Sequence, residues 1–207
     1  MARQPNLVPM RQPNAVMLDA HAAATLRYIR ASMEAAGTVA VSGFAGVTMG
    51  VVGVLAAVVA STAAMRPHWL AVWLIAAIVA SLAGGALMAR QASLQGFTVF
   101  GAPVRKFILG LAPGLFAGAA MTLVQWRAND LHALPGCWLL LYGCALISAS
   151  ASTTKTVGLL GALFALLGLI AFWLPQNLQM LALGAGFGGL HLVFGIVIRY
   201  TSRASQA

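Results

Sequence analysis

Beyond residue 38 the chain is a succession of apolar runs separated by short polar breaks. Each run is long enough to cross the hydrocarbon core of a bilayer, roughly 30 Å, as a helix. The runs predict six spans, over about residues 39–62, 69–88, 106–126, 136–153, 156–174 and 178–198. Before them the pattern differs. Residues 1–14 hold Pro5, Pro9 and Pro13 and no hydrophobic period, which reads as a loosely ordered basic tail. In residues 15–37, Leu18, Ala22, Leu26, Ile29, Met33 and Ala36 recur at helical spacing, while Asp19, Arg27, Arg30 and Glu34 take another face. Asn14 suits the start of that helix and Gly37 its end. It is too polar to span and reads as an amphipathic helix lying at the membrane surface.

The expected fold is therefore all-α: a polytopic membrane protein of six transmembrane helices preceded by an amphipathic helix, with both termini cytoplasmic. The expected organisation is 1–37 for tail and interfacial helix, 38–200 for the transmembrane domain and 201–207 for a cytoplasmic tail. No short apolar core followed by a small-residue cleavage site is visible, so the first span is read as an uncleaved anchor.

Composition agrees with a lipid solvent. The chain is 61% hydrophobic and 7% charged, against roughly 25% charged in soluble domains. Twelve Lys and Arg face three acids, Asp19, Glu34 and Asp130, for a formal charge of +9. The bases sit between spans and form no continuous patch, which argues for topology and contact with anionic headgroups and against nucleic acid. With the N-terminus inside, inner segments hold Arg3, Arg11, Arg27, Arg30, Arg90, Arg105, Lys106, Lys155, Arg199 and Arg203, and outer ones only Arg66 and Arg127. Trp69, Trp73, Trp126, Trp138 and Trp173 then fall near outer span ends, as a headgroup belt would. A bacterial inner membrane is the expected location.

Glycine spacing carries the packing expectation. Gly43, Gly46, Gly50 and Gly53 form one groove on the first span; Gly110, Gly114 and Gly118 form a ridge on the third, which also holds Pro113. Gly158, Gly161, Ala165 and Gly168 repeat the pattern on the fifth, and Gly184, Gly188 and Gly195 pave the sixth. The second has a shorter face of Ala77, Ser81 and Gly84. Lipid tails are as apolar as leucine, so helices associate where small residues let backbones approach. A tight bundle with little interior volume is expected, without a wide aqueous pore. The spacing shared by spans one and five is too thin a match to establish an internal repeat.

Candidate chemistry is sparse. His191 lies inside the last apolar run and shares a helical face with Gly184, Gly188 and Gly195. It is the one residue placed to ligate a haem or a chlorophyll-type pigment, or to act as a proton relay or substrate contact. The plainer alternative is a neutral imidazole bonded to a carbonyl or a hydroxyl across a helix interface. A bis-histidine haem lacks its second ligand, since His68 and His132 fall in loops and His21 in the N-terminal helix. No Asp or Glu lies in any span, which argues against cation coupling. Cys137 and Cys144 stand roughly 10 Å apart along one helix, too far for a disulfide. No metal spacing and no hydrolase or nucleotide motif occurs. Ser148 could approach His191, but no catalytic pair is expected. Arg90, Arg105 and Lys106, flanking a loop with Gly96, Phe97, Gly101 and Pro103, form the densest basic cluster, a candidate anionic-headgroup site.

Three stretches, LRYIRASMEAAG, LPGCWLLLYG and GFGGLHLVFGIVIRY, together resemble a family of small bacterial membrane proteins with six predicted spans and a similar N-terminal helix. The family has no established activity, so the resemblance implies architecture and a bacterial inner membrane and transfers no catalytic residue. The first expectation for function is a non-enzymatic accessory or structural subunit, with no cofactor, packing in the bilayer against a membrane-protein partner or further copies of itself. The second is a small-solute transporter or channel using His191. The third is a haem- or pigment-binding subunit.

Overall fold

The structure, a computed structural model, describes residues 24–29, 41–94 and 102–204. Chain contacts divide the molecule into Met1–Gly37 and Thr38–Ala207. In the first unit, residues 24–29 are helical and exposed. The other positions of the expected amphipathic helix, with Asn14 and Gly37, lie outside the described residues.

In the second unit all described regular structure is helical: α1 (Gly43–Ser61), a short 3-10 turn (Arg66–His68), α2 (Trp69–Leu94), α3 (Ala102–Arg127), α4 (Leu134–Ser150), α5 (Lys155–Ala171), α6 (Gln176–Leu183), a π-helical segment (Gly184–Leu190) and α7 (His191–Ala204). Sequence chemistry sets the ends. Ser42 caps α1 by accepting from the Ala45 amide at 3.4 Å. Pro135 opens α4, where its missing N–H costs nothing. Between α3 and α4 the chain turns through Asn129, whose φ of 53° is a left-handed conformation that asparagine tolerates. The carboxylate of Asp130 then accepts from the His132 amide at 3.1 Å.

Four stretches are long and apolar enough to cross a membrane: Gly43–Ser61, Arg66–Leu94, Val104–Arg127 and Gln176–Thr201. The fourth and fifth expected spans are shorter, at 17 residues each, or about 25 Å of helix. The reasons are local. The hydroxyl-rich end of α4 folds back on its own backbone, Ser150 Oγ donating to the Ile147 carbonyl at 2.6 Å and Ser152 Oγ to that of Ala149 at 3.0 Å. α5 gives way to i→i+3 turns at Trp173 and Leu174, because the residue before Pro175 is pushed out of helical geometry.

The helices associate in a definite order. α2 packs on α1, α1 on the π segment and α7, α6 on α4 and α5, α4 on α5, and α3 on α4. Among the described residues, α2 and α3 follow one another in sequence yet are not among the closely packed pairs. Within the unit α2 is held chiefly by α1 and α3 chiefly by α4. The core within it is aromatic and aliphatic: Phe164, Leu134, Leu139 and Leu183 are completely buried.

Candidate functional site

The glycine faces are spent inside the chain. A Cβ built on Gly46 would stand 2.9 Å from the Gly195 Cα, and one on Gly50 2.9 Å from the Gly188 carbonyl oxygen. Gly43 meets the Gly195 carbonyl and the Arg199 side chain, and Gly53 meets the Phe187 carbonyl. Thus the groove of the first span receives the last helix, backbone against backbone. Gly184 faces Ala57 and Gly188 faces Val54 on the same helix. Arg199 closes the contact, its guanidinium 3.9 Å from the centre of the Phe44 ring. On α3, Gly110 and Gly114 sit against Ala149 and Ala145 of α4. Gly118 differs: a Cβ there would meet nothing within 4 Å.

The last helix is not a uniform α-helix. Its middle, GAGFGGL, is π-helical, a geometry that takes up a surplus residue and recurs at functional sites. The π turn ends immediately before His191, which then shares the regular α7 with Gly195. Gly184, Gly188 and Gly195 face α1, whereas the imidazole turns to α4, its Nε2 2.9 Å from the Tyr142 hydroxyl. His191 is 4% exposed. Around it lie Tyr142, Phe164 and Phe187, with centroids 5.6, 5.1 and 6.3 Å from the imidazole; Phe187 stacks at 14° and Phe164 stands edge-on at 65°. Trp73 extends the cluster, 5.9 Å from Phe187.

Two cavities, of about 250 and 360 Å³, meet at this pair. Met49, Ala80, Ser81, Leu115, Tyr142 and His191 line both. The first runs toward Trp73, Trp138 and Thr122, the second toward Met88, Phe107 and Ile198. The interior volume departs from the expected tight bundle, and residues of both α2 and α3 border it. Small residues on these helices, Ala76, Ala77, Ala80, Gly118 and Ala119, line the first cavity. Polar groups are few. Trp138 Nε1 donates to Thr122 Oγ1 at 2.8 Å, and that hydroxyl donates to the Gly118 carbonyl at 2.7 Å.

Tyr142 is the residue that sequence reading missed. The available signal was a lone phenol in the middle of an apolar run, whose hydroxyl needs a partner when removed from water. Trp69 and Trp73 also differ from the other tryptophans in facing the protein interior. Both are buried, at 9% and 4% exposure, while Trp126 and Trp173 are exposed at 61% and 81%. Trp69 turns inward because it meets Trp138 edge-on, with centroids 6.2 Å apart.

Other candidates do not converge on the pair. Ser148 is exposed on α4, so no Ser–His contact forms. Cys137 and Cys144 are free thiols, the former accepting from Gln125 Nε2 at 3.5 Å. Among the described residues no three His, Cys, Asp or Glu gather as metal ligands. Tyr142 engages the Nε2 of His191, while the imidazole Nδ1 is buried without a hydrogen-bond partner. Arg90, Arg105 and Lys106 are exposed; Gly96, Phe97 and Gly101 lie outside the described residues.

Fold and site together define an all-helical protein with helices fit to cross a membrane and an internal apolar cleft closed by a histidine–tyrosine pair. Comparison with known protein families, with curated proteins and with solved structures finds no match for the chain.

Proposed function

We propose that this protein is a multi-pass inner-membrane protein that binds a small, mainly apolar molecule in the cleft between α2 and α3 and passes it along that cleft. The observation carrying this reading is the meeting of two cavities at Tyr142 and His191. Ligand sites in helical bundles lie between helices, are mostly apolar and hold a few placed polar groups. The same lining disfavours ions, which need charge or many oxygens along their path. An accessory role based on glycine packing has less behind it, because most of the glycines proposed for it already meet another helix of the same chain.

The arrangement in the membrane belongs to the same proposal. Six crossings put both termini in the cytoplasm, with α4 and α5 as short crossings completed by their flanking turns. Support comes from the excess of Lys and Arg on one side. The Trp69–Trp138 contact also brings the starts of α2 and α4 to one end of the bundle.

Thermal unfolding in mild detergent with a panel of uncharged lipophilic compounds tests the binding reading. A ligand present at a hundred times its Kd stabilises a protein by about 2.7 kcal/mol. The expected result is saturable stabilisation by at least one compound, abolished in Gly118→Phe, which fills the first cavity from an open position. Stabilisation of neither protein, or of both equally, would remove the reading.

A further inference from the structure

Ser81 on α2 is exposed and lines both cavities. Ala77, Gly84, Gly85 and Met88 share its helical face, and each lines one cavity or the other. Ser81 therefore sits at the centre of the stripe that α2 turns to this space. The other two polar side chains common to both cavities, Tyr142 and His191, satisfy each other. The Ser81 hydroxyl makes no hydrogen bond with any described residue. A second hydroxyl in the first cavity shows how such a group is used. Thr122 gives its proton to the Gly118 carbonyl, four residues back on its own helix, at 2.7 Å, and accepts the Trp138 indole N–H at 2.8 Å. On α2 itself Ser93 returns its proton to the Ala89 carbonyl at 3.0 Å. A helical hydroxyl with its proton so placed is an acceptor toward the space it faces.

Resting on the small-molecule reading above, we infer that Ser81 selects the ligand, and that the ligand is an uncharged lipophilic alcohol whose O–H donates to Ser81 Oγ while its apolar body lies in the adjoining cavity. Each part of that class follows from a feature of the site. No Lys, Arg, Asp or Glu lines either cavity, so the molecule is neutral. The Ala77 carbonyl, four residues back, stands to Ser81 as Gly118 stands to Thr122, and is the outlet for the serine's own proton. What Ser81 then lacks is the donor that Trp138 supplies to Thr122. An alcohol brings that donor. A ketone brings only a second acceptor and a hydrocarbon brings neither, and a site built to hydrogen-bond discriminates more sharply than an apolar wall alone. Because Ser81 borders both cavities, one hydrogen bond serves a ligand body on either side, and movement from one cavity to the other does not strand the hydroxyl.

Cyclododecanol, cyclododecanone and cyclododecane are suitable probes, since they share one apolar ring and differ only in the oxygen. Thermal unfolding of the full chain in mild detergent would be titrated with each, at equal mole fractions in the micelle. The expected result is saturable stabilisation by cyclododecanol, with an affinity about tenfold above that of the ketone or the hydrocarbon. Ser81→Ala should remove that advantage, and Ser81→Thr, which keeps the hydroxyl, should retain it. Without ligand both variants should melt with the unaltered protein, because the Ser81 hydroxyl holds no other described residue in place. Equal affinity for alcohol and ketone in the unaltered protein would overturn the donor requirement. An advantage that survives in Ser81→Ala would overturn the assignment to Ser81. No saturable shift with cyclododecanol would overturn the inference as a whole, while the wider panel of lipophilic compounds with Gly118→Phe reads the small-molecule proposal separately.

Discussion

The Tyr142 hydroxyl lies 2.9 Å from His191 Nε2, joining α4 to the last helix at the point where two cavities meet. The pair is flanked by Phe164 and Phe187, so each member is the other's polar partner in an otherwise apolar surrounding. Removing one hydroxyl leaves a buried nitrogen unpaired. Tyr142→Phe is expected to lose about 1 kcal/mol, the scale of interhelical hydrogen bonds in membranes. Replacing both residues, with His191→Phe added, should cost less than the sum of the single losses, because nothing polar is then stranded. Unfolding of the four proteins in one detergent measures the coupling; strict additivity would mean that the two groups act independently.

Gly46 and Gly118 separate glycines that hold the chain together from glycines that hold space open. Gly46 lies against the backbone of Gly195, whereas Gly118 faces nothing. Gly46→Leu drives a side chain into a helix axis that cannot yield without moving α7, so a loss of about 3 kcal/mol or more is expected. Gly118→Ala should change stability by no more than about 0.5 kcal/mol. Comparable losses for the two would mean that α3 packs more closely on its neighbours than the open space at Gly118 implies.

How much of this was legible in the sequence depends on which physical rule governed each element. Long apolar runs announced helices, and the three-four spacing of Gly43, Gly46, Gly50 and Gly53 announced a groove; both follow from the period of the helix. The identity of the groove's occupant was not legible, because glycine spacing says that a backbone comes close and not whose. His191 stood out as a lone ionisable group, but its partner, the Tyr142 hydroxyl, did not. An ideal helix aligns His191 with Gly184, Gly188 and Gly195; the π turn across Gly184–Leu190 alters its register with the first two, while Gly195 follows it in regular α7. The cleft was illegible for a related reason: Ala77, Ala80 and Gly118 look the same in sequence whether they admit a helix or border a cavity.

The proposed orientation predicts where reporters work. Fusion of an enzyme active only in the periplasm at Gln176 should give signal, since the turn before α6 joins the tryptophan-rich ends. The same enzyme at Ala207 should be silent. Signal from both fusions would mean that the last helix does not cross; α4 and α5, at 17 residues each, are tested by a third fusion at Ser152, which stays silent if both cross and gives signal if neither does.

Deletion and insertion should be unequal in the π segment. Gly184–Leu190 carries a surplus residue relative to an α-helix, and Gly189 within it meets nothing. Deleting Gly189 lets the wide turn relax to α geometry. Leu183 then stays buried below it, and Gly195 stays on Gly46 above it. A loss of about 1 kcal/mol is expected, with binding in the adjoining cavity impaired because Phe187 and His191 change their relative rotation. Inserting one alanine after Gly189 demands a second wide turn, or else rotates α7 by about 100°. That rotation takes Gly195 off Gly46 and His191 off Tyr142, so more than about 3 kcal/mol should be lost. Melting of the two variants side by side decides it: equal penalties would show that the π turn carries no surplus the helix can give up, and that its geometry is required for the fold itself.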